Sequence, residues 1–323
     1  MGGVKSASRY PSIRPGGRLW RIAFSGAGFA IFAVITAWGI AGGKFVTPIG
    51  GDIPTIFQPA GDALRAGQPV YAWKDLPFFY APPMVVLLAA ISWLPTVALF
   101  AAVIAVDVAS LRYLAGSWLR VGYLLWFVVL PFEFAAGQLN ILMAAAIVAA
   151  IRRGWTGLPA LLSFAKISPV LAVDPRGWRR FACWGMLFIA ITLPWWWLWP
   201  EWIAQLGRGW QTQVGPQIPI PFLLRLPVGL ALVATRTRLG RAGGAVLATP
   251  AFYWGSLVLL LAPVAICFDL ADELRARTAA GGPGADGAGA SGAGVSGAAA
   301  SSTPLPSPPR GARPARLWRL PRR

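Results

Sequence analysis

The run from about Leu19 to Ala41 is long and apolar enough to cross a bilayer as a helix, and it is the first of several. Charged residues make up 12% of the chain, where a soluble domain carries roughly 25%. Hydrophobic residues reach 56% and the mean hydropathy is +0.60. The sequence therefore specifies an integral, polytopic membrane protein built from helices. A net charge of +18, from 29 basic against 11 acidic residues, raises nucleic acid as a partner. The basic residues instead sit in short clusters between apolar runs or in the two tails, as orientation signals do, so no nucleic-acid partner is expected. Cys183 and Cys267 both lie in apolar segments and read as small hydrophobes. The absence of histidine removes the commonest metal ligand and the commonest general base, leaving acid–base work to carboxylates. No cofactor or metal is implied.

Residues 1–18 carry Lys5, Arg9, Arg14 and Arg18 and read as a cytoplasmic tail, which places the loop 42–82 outside. That loop is the longest polar interlude and holds Asp52, Asp62 and Asp75. Within it, Ala60 to Ala66 reads as a short surface helix, with Ala63 and Leu64 toward lipid and Asp62 and Arg65 toward water, stopped by Gly67 and Pro69. The segment 83–114 is broken at Pro95. Further spans are expected near 121–134, 138–151, 155–173, 181–199, 220–234 and 246–268, with a polar loop from Glu201 to Pro219. Arg152 and Arg153, the group Arg176, Arg179 and Arg180, and the group Arg236, Arg238 and Arg241 all favour the cytoplasm. Simple alternation cannot satisfy all three, so at least one apolar segment must be re-entrant or split. The expectation is eight to ten spans over 19–270. Residues 271–323 form a Gly/Ala/Pro-rich basic tail, too poor in apolar side chains to fold. The last stretch, Arg310 to Arg323, has six arginines and is either a headgroup contact or a solvated tail.

A charge inside a span costs about 2.5–3.5 kcal/mol, so each such residue is a functional candidate. Asp107 has Arg112 five positions on and reads as half of a buried structural pair. Glu133 follows Pro131 and leads into Gly137-Gln138-Leu139-Asn140, the start of a helix. Free N–H groups and amide side chains there suit an anion or sugar hydroxyls, or simply cap the helix. Lys166 precedes Pro169, where a kink is expected, and either pairs with a phosphate or snorkels to an interface. Arg225, near its span's end, reads as snorkelling. Asp52 follows Gly50-Gly51 and is a turn residue or a base. No Walker loop, nucleophile elbow or dinucleotide fingerprint is present, which leaves Asp52 and Glu133 as the leading general bases. Trp195-Trp196-Trp197 and Trp199 read as an interfacial belt rather than a sugar platform.

Three stretches in order carry a resemblance. Asp52 with Ala60-Gly61-Asp62-Ala63-Leu64-Arg65-Ala66-Gly67-Gln68-Pro69-Val70-Tyr71 and Phe79-Tyr80-Ala81-Pro82-Pro83 is similar to the first loop of glycosyltransferase family 87. Gly137-Gln138-Leu139-Asn140 resembles that family's helix start, and Lys166 with Pro169 resembles its Lys–Pro motif. The resemblance covers about residues 20–268. It implies an all-α, GT-C-type membrane enzyme in the plasma (inner) membrane, with its active site facing outward. The implied donor is a polyprenyl-phosphate hexose, typically mannose, and the acceptor a cell-envelope glycolipid or polysaccharide. By the same resemblance Asp52 is the base, Lys166 meets the donor phosphate, Gln138 and Asn140 line the cavity with Glu133, and Tyr80 contacts substrate. Two alternatives fit the same spans: a polyprenyl-lipid transporter or flippase, and an inactive scaffold of GT-C type.

Overall fold

The computed structural model describes residues 16–41, 51–71, 78–209, 220–250 and 254–280. The tails 1–15 and 281–323 lie outside these residues, as do Lys44, Lys74 and Asp75 of the polar loop. The chain divides into a unit Met1–Arg275 and a second unit Ala276–Arg323, and α1 to α12 belong to the first. Among the described residues all regular structure is helical.

Five helices, α1 (Gly16–Ala41), α2 (Gln58–Arg65), α3 (Pro82–Ile91), α4 (Thr96–Ala115) and α5 (Trp118–Leu124), make the first half. They are followed by α6 (Leu130–Ala136), α7 (Asn140–Arg153), α8 (Gly157–Ser163), α9 (Trp178–Ile191), α10 (Leu198–Gly209), α11 (Phe222–Ala234), α12 (Arg238–Leu247) and α13 (Leu261–Ala280). Among the described residues, Leu19–Gly39 and Thr96–Ala115 are long and apolar enough to cross a membrane. Leu130–Ala136 with Asn140–Arg153 makes a third if that bent pair is one span. This is fewer than the eight to ten spans expected. Apolar composition does not decide helix length, because Pro and Gly cut the runs. Pro95 separates α3 from α4, the run 155–173 breaks into a short α-helix and a 3-10 turn, and 246–268 is divided among the end of α12, a 3-10 stretch and the start of α13. Of the polar loop expected from Glu201 to Pro219, residues 201–209 belong to α10 and 210–219 lie outside the described residues; α13 continues to Ala280, past the boundary expected at 270.

The core centres on α7, whose residues Ile141 to Ile151 are nearly all buried, against α4, α5, α12 and α13. Outward faces are apolar. No residue of α9 is buried, and Trp184, Met186, Leu187 and Ile191 are exposed on it, as lipid contact requires. Two close approaches fix the packing. A Cβ at Gly28 of α1 would lie 1.9 Å from the Gly122 carbonyl oxygen of α5, and one at Gly244 of α12 would lie 2.5 Å from that of Gly229 in α11. The helix α2 is docked rather than afloat. Ala63 and Leu64 are buried in a cluster with Val85 and Leu88 of α3, so they face protein and not lipid. Asp62 and Arg65 are exposed as expected, and Gly67 ends the turn at φ +65°. Cys183 and Cys267 are free and exposed.

The path of the chain resolves the conflict among the arginine clusters. The guanidinium of Arg152, at the C-terminus of α7, donates to both Asp269 oxygens (2.7 and 2.9 Å) and to the Tyr113 and Leu114 carbonyls ending α4. Nearby pairs join Arg120 to Asp272, Arg238 to Glu273 and Arg241 to Asp174. Arg153, Arg176, Arg180 and Arg241 line one cleft. All three clusters thus share one end of the molecule. Residues 154–174 make this possible: they leave the basic end at Gly154, reach Asn140 at the far end of α7 through Lys166, and return at Asp174. The segment enters and leaves by the same face. It is a hairpin-like excursion whose two feet share the arginine end.

Arg225 does not snorkel. It is buried, and it donates to the carbonyls of Ile220, Leu247, Thr249 and Pro250 at 2.8–3.2 Å, closing the C-terminus of α12. Asp107 does not pair with Arg112, whose guanidinium lies over the Trp118 ring instead. The Asp107 carboxyl is fully buried, with no hydrogen-bond partner among the described residues.

Candidate functional site

The site begins with a broken helix. Pro131 opens α6 in the first turn, where its missing N–H is harmless. Gly137 then takes φ +67°, a conformation in which a side chain would strain the backbone, and the chain turns by 110° into α7. The turn leaves the first N–H groups of α7 without helical partners. Glu133 supplies the acceptor: its Oε1 accepts from the Asn140 backbone N–H at 2.9 Å and its Oε2 from Asn140 Nδ2 at 3.1 Å. Glu133 is 2% exposed and both its oxygens are engaged, so it holds Asn140 in place.

This anchoring fixes every amide orientation downstream. A carboxylate only accepts, so the Asn140 NH₂ faces Glu133 and its Oδ1 is turned to Lys166, whose Nζ donates at 2.6 Å. Asn140 Nδ2 also donates to Gln138 Oε1 at 2.8 Å and, at 3.4 Å, toward the Gly255 carbonyl. With Oε1 accepting, Gln138 presents its NH₂ to the Asp52 carboxylate, with which it is hydrogen-bonded. Asp52 and Lys166 are close enough for their charges to interact, and Glu133 feels both. Burial raises the Asp52 carboxyl above its ordinary value, while the Gln138 hydrogen bond and the Lys166 charge act the other way.

Asp52 is carried by a segment that enters as a π-helix, Ile53–Phe57, and continues into α2. Gln58 anchors it by donating to the Leu94 carbonyl and accepting from Thr96. Lys166 sits beyond the end of α8, where the helix stops at Ser163 rather than kinking, and Pro169 opens a 3-10 turn over Ser168–Ala172. Tyr80 stands beside this cluster. Its ring meets Phe57 and Phe78, its carbonyl accepts from Tyr71 Oη at 2.8 Å, and the next residue, Ala81, donates its N–H to the Phe164 carbonyl. Trp202 Nε1 donates to Phe79 O at 2.9 Å, tying α10 to the same strand of chain.

Five of the six expected site residues therefore meet in one hydrogen-bonded cluster, with Tyr80 on the aromatic wall next to it. No family model, curated protein or solved structure matches this chain. Sequence reasoning missed Gly137 as the hinge and Gly255 as a further acceptor. A glycine directly before a polar helix start was the readable sign of the first. Nothing in sequence marks a carbonyl more than a hundred positions away.

Chemically, the cluster offers a carboxylate and an ammonium joined through two amides whose orientations are locked. One can take a proton and the other can meet a developing negative charge.

Proposed function

We propose that this chain is a membrane hexosyltransferase of GT-C type. It moves a hexose, mannose by the resemblance to glycosyltransferase family 87, from a polyprenyl-phosphate donor to a cell-envelope acceptor. The observation that carries this reading is the meeting of Asp52 and Lys166 across Gln138 and Asn140. Asp52 takes the proton of the acceptor hydroxyl as that oxygen forms its bond to the anomeric carbon. The bond between the anomeric carbon and the phosphate oxygen breaks on the opposite side, and the sugar inverts. The electron pair leaves on the polyprenyl phosphate, whose charge Lys166 Nζ meets as a fixed cation. Asn140, itself held by Glu133, keeps that ammonium in place.

The same geometry supports an orientation. The amide cluster sits at the N-terminus of α7 and the arginine clusters at its C-terminus, about 20 Å away at 1.5 Å per residue. Basic segments stay in the cytoplasm, so the cluster faces outward. A lipid flippase is the second reading, favoured by the sharp α6–α7 break at the site, since transporters build binding sites from interrupted helices.

Sugar transfer in nanodiscs separates the two. The assay uses radiolabelled polyprenyl-phosphate mannose, a membrane-lipid extract as acceptor, and wild-type and Asp52→Asn proteins. Labelled product from wild type and none from the folded variant is the expected result. Equal product from both removes Asp52 as base. Donor binding without product from either protein favours the flippase.

A further inference from the structure

The basic end carries two clefts that the sugar-transfer site does not use. The first, of about 420 Å³, is lined by Arg153, Arg176, Arg180 and Arg241 against one carboxylate, Asp174. Its surplus is three positive charges. Asp174 already serves Arg241 at 3.3 Å and caps the Arg176 backbone N–H at 2.9 Å. Among the described residues, the Arg176 and Arg180 side chains make no hydrogen bond or ion pair, and the buried Arg241 Nε has no partner. Guanidinium groups gathered this closely repel one another unless an anion lies between them, and their planar donors match a phosphate in bidentate fashion.

The second cleft, of about 560 Å³, shares Asp174, Arg176 and Arg241 with the first and adds Arg236 together with Val170, Leu171, Val233 and Trp178. The two clefts thus adjoin across shared arginines, and the second sets those arginines beside an apolar wall. Trp155 and Trp178 are 51% and 45% exposed beside it, where interfacial aromatics sit at headgroup level. A free phosphate would use the arginines and leave the apolar wall of Val170, Leu171 and Val233 uncovered. We propose that the paired clefts hold an anionic phospholipid, with its phosphate on the arginines and an acyl chain along Val170, Leu171 and Val233. The site is independent of the sugar-transfer reading and stands whether or not the chain moves a hexose.

The test is native mass spectrometry of the full-length protein in detergent, titrated with phosphatidylglycerol, with phosphatidylcholine of the same chains, and with inorganic phosphate. Wild type is expected to retain phosphatidylglycerol over phosphatidylcholine and to keep it when inorganic phosphate is added in equal concentration. The double variant Arg176→Ala/Arg180→Ala is expected to bind phosphatidylglycerol about thirtyfold more weakly, at roughly fivefold per surface arginine. Both side chains are exposed and unpartnered, so its fold should hold, and Arg176→Lys/Arg180→Lys should recover only part of the affinity, because an ammonium keeps the charge but lacks the planar fork. Equal retention of the two lipids would overturn the proposal, as would unchanged binding by the alanine variant. Displacement of the lipid by inorganic phosphate would reassign the first cleft to a free anion.

Discussion

Asp52 must be ionised to take a proton, and burial holds its carboxyl above the ordinary aspartate range. The rate of transfer should accordingly rise with pH through that raised value, and fail on acidification sooner than an exposed aspartate would. Gln138→Leu removes a hydrogen bond that favours the ionised form, so the acid limb of kcat/KM moves to higher pH. Lys166→Met moves it the same way, because an opposing charge is lost, and also slows the chemical step. A pH–rate profile of the three proteins checks both shifts, and a limb that stays in place would remove Asp52 from the proton transfer. Asp52→Asn itself is expected to cost about 10²- to 10⁴-fold in rate. Glu133 behaves differently. Glu133→Gln turns an amide donor against the donors of Asn140, which costs about 1–3 kcal/mol of stability and shows as a lower melting temperature in detergent.

The helix ends show which interactions can be read from sequence and which cannot. Arg225→Met should destabilise by about 3 kcal/mol, because the carbonyls that close α12 lose their donor. Arg225→Lys should recover only part of this, since a point charge cannot span them. Thermal unfolding of both variants in detergent tests the ranking. Nothing local announces that role: Arg225 reads as a snorkelling cation because three of its four partners, Leu247, Thr249 and Pro250, lie more than twenty positions away at and just past the end of α12. The pairing of Arg152 with Asp269 is hidden for the same reason. The amide cluster was more legible. A polar side chain in an apolar run has few places to go, so Glu133, Gln138, Asn140 and Lys166 stood out individually. Their meeting depends on the 110° turn at Gly137, which an apolar profile does not record. The number of spans is hard to read for the same reason, since one hydropathy run can hide two short helices. Gly137→Ala, at φ +67°, is expected to cost about 1 kcal/mol and to lower transfer more than stability, because Asn140 shifts with the turn.

The molecule as a whole is polarised, with amides and one lysine at one end and paired and unpaired arginines at the other. With Cys183 and Cys267 replaced by Ala, Gly67→Cys should react with a membrane-impermeant maleimide on intact cells. Arg176→Cys should react only after permeabilisation. The reverse pattern would invert the protein and place the cluster in the cytoplasm. The bundle also depends on bare backbone contact between α1 and α5, so Gly122→Leu should prevent recovery of monodisperse protein. Residues 154–174 link the two ends in a further sense. Both feet of this excursion, Gly154 with Trp155 and Asp174 with Arg176, form walls of the arginine cleft, while its tip carries the ammonium of Lys166. A wedge driven between the feet pulls on the tip through about ten residues of continuous chain on either side. The arginine cleft is thereby joined through the backbone to the position of the Lys166 charge at the far end of α7.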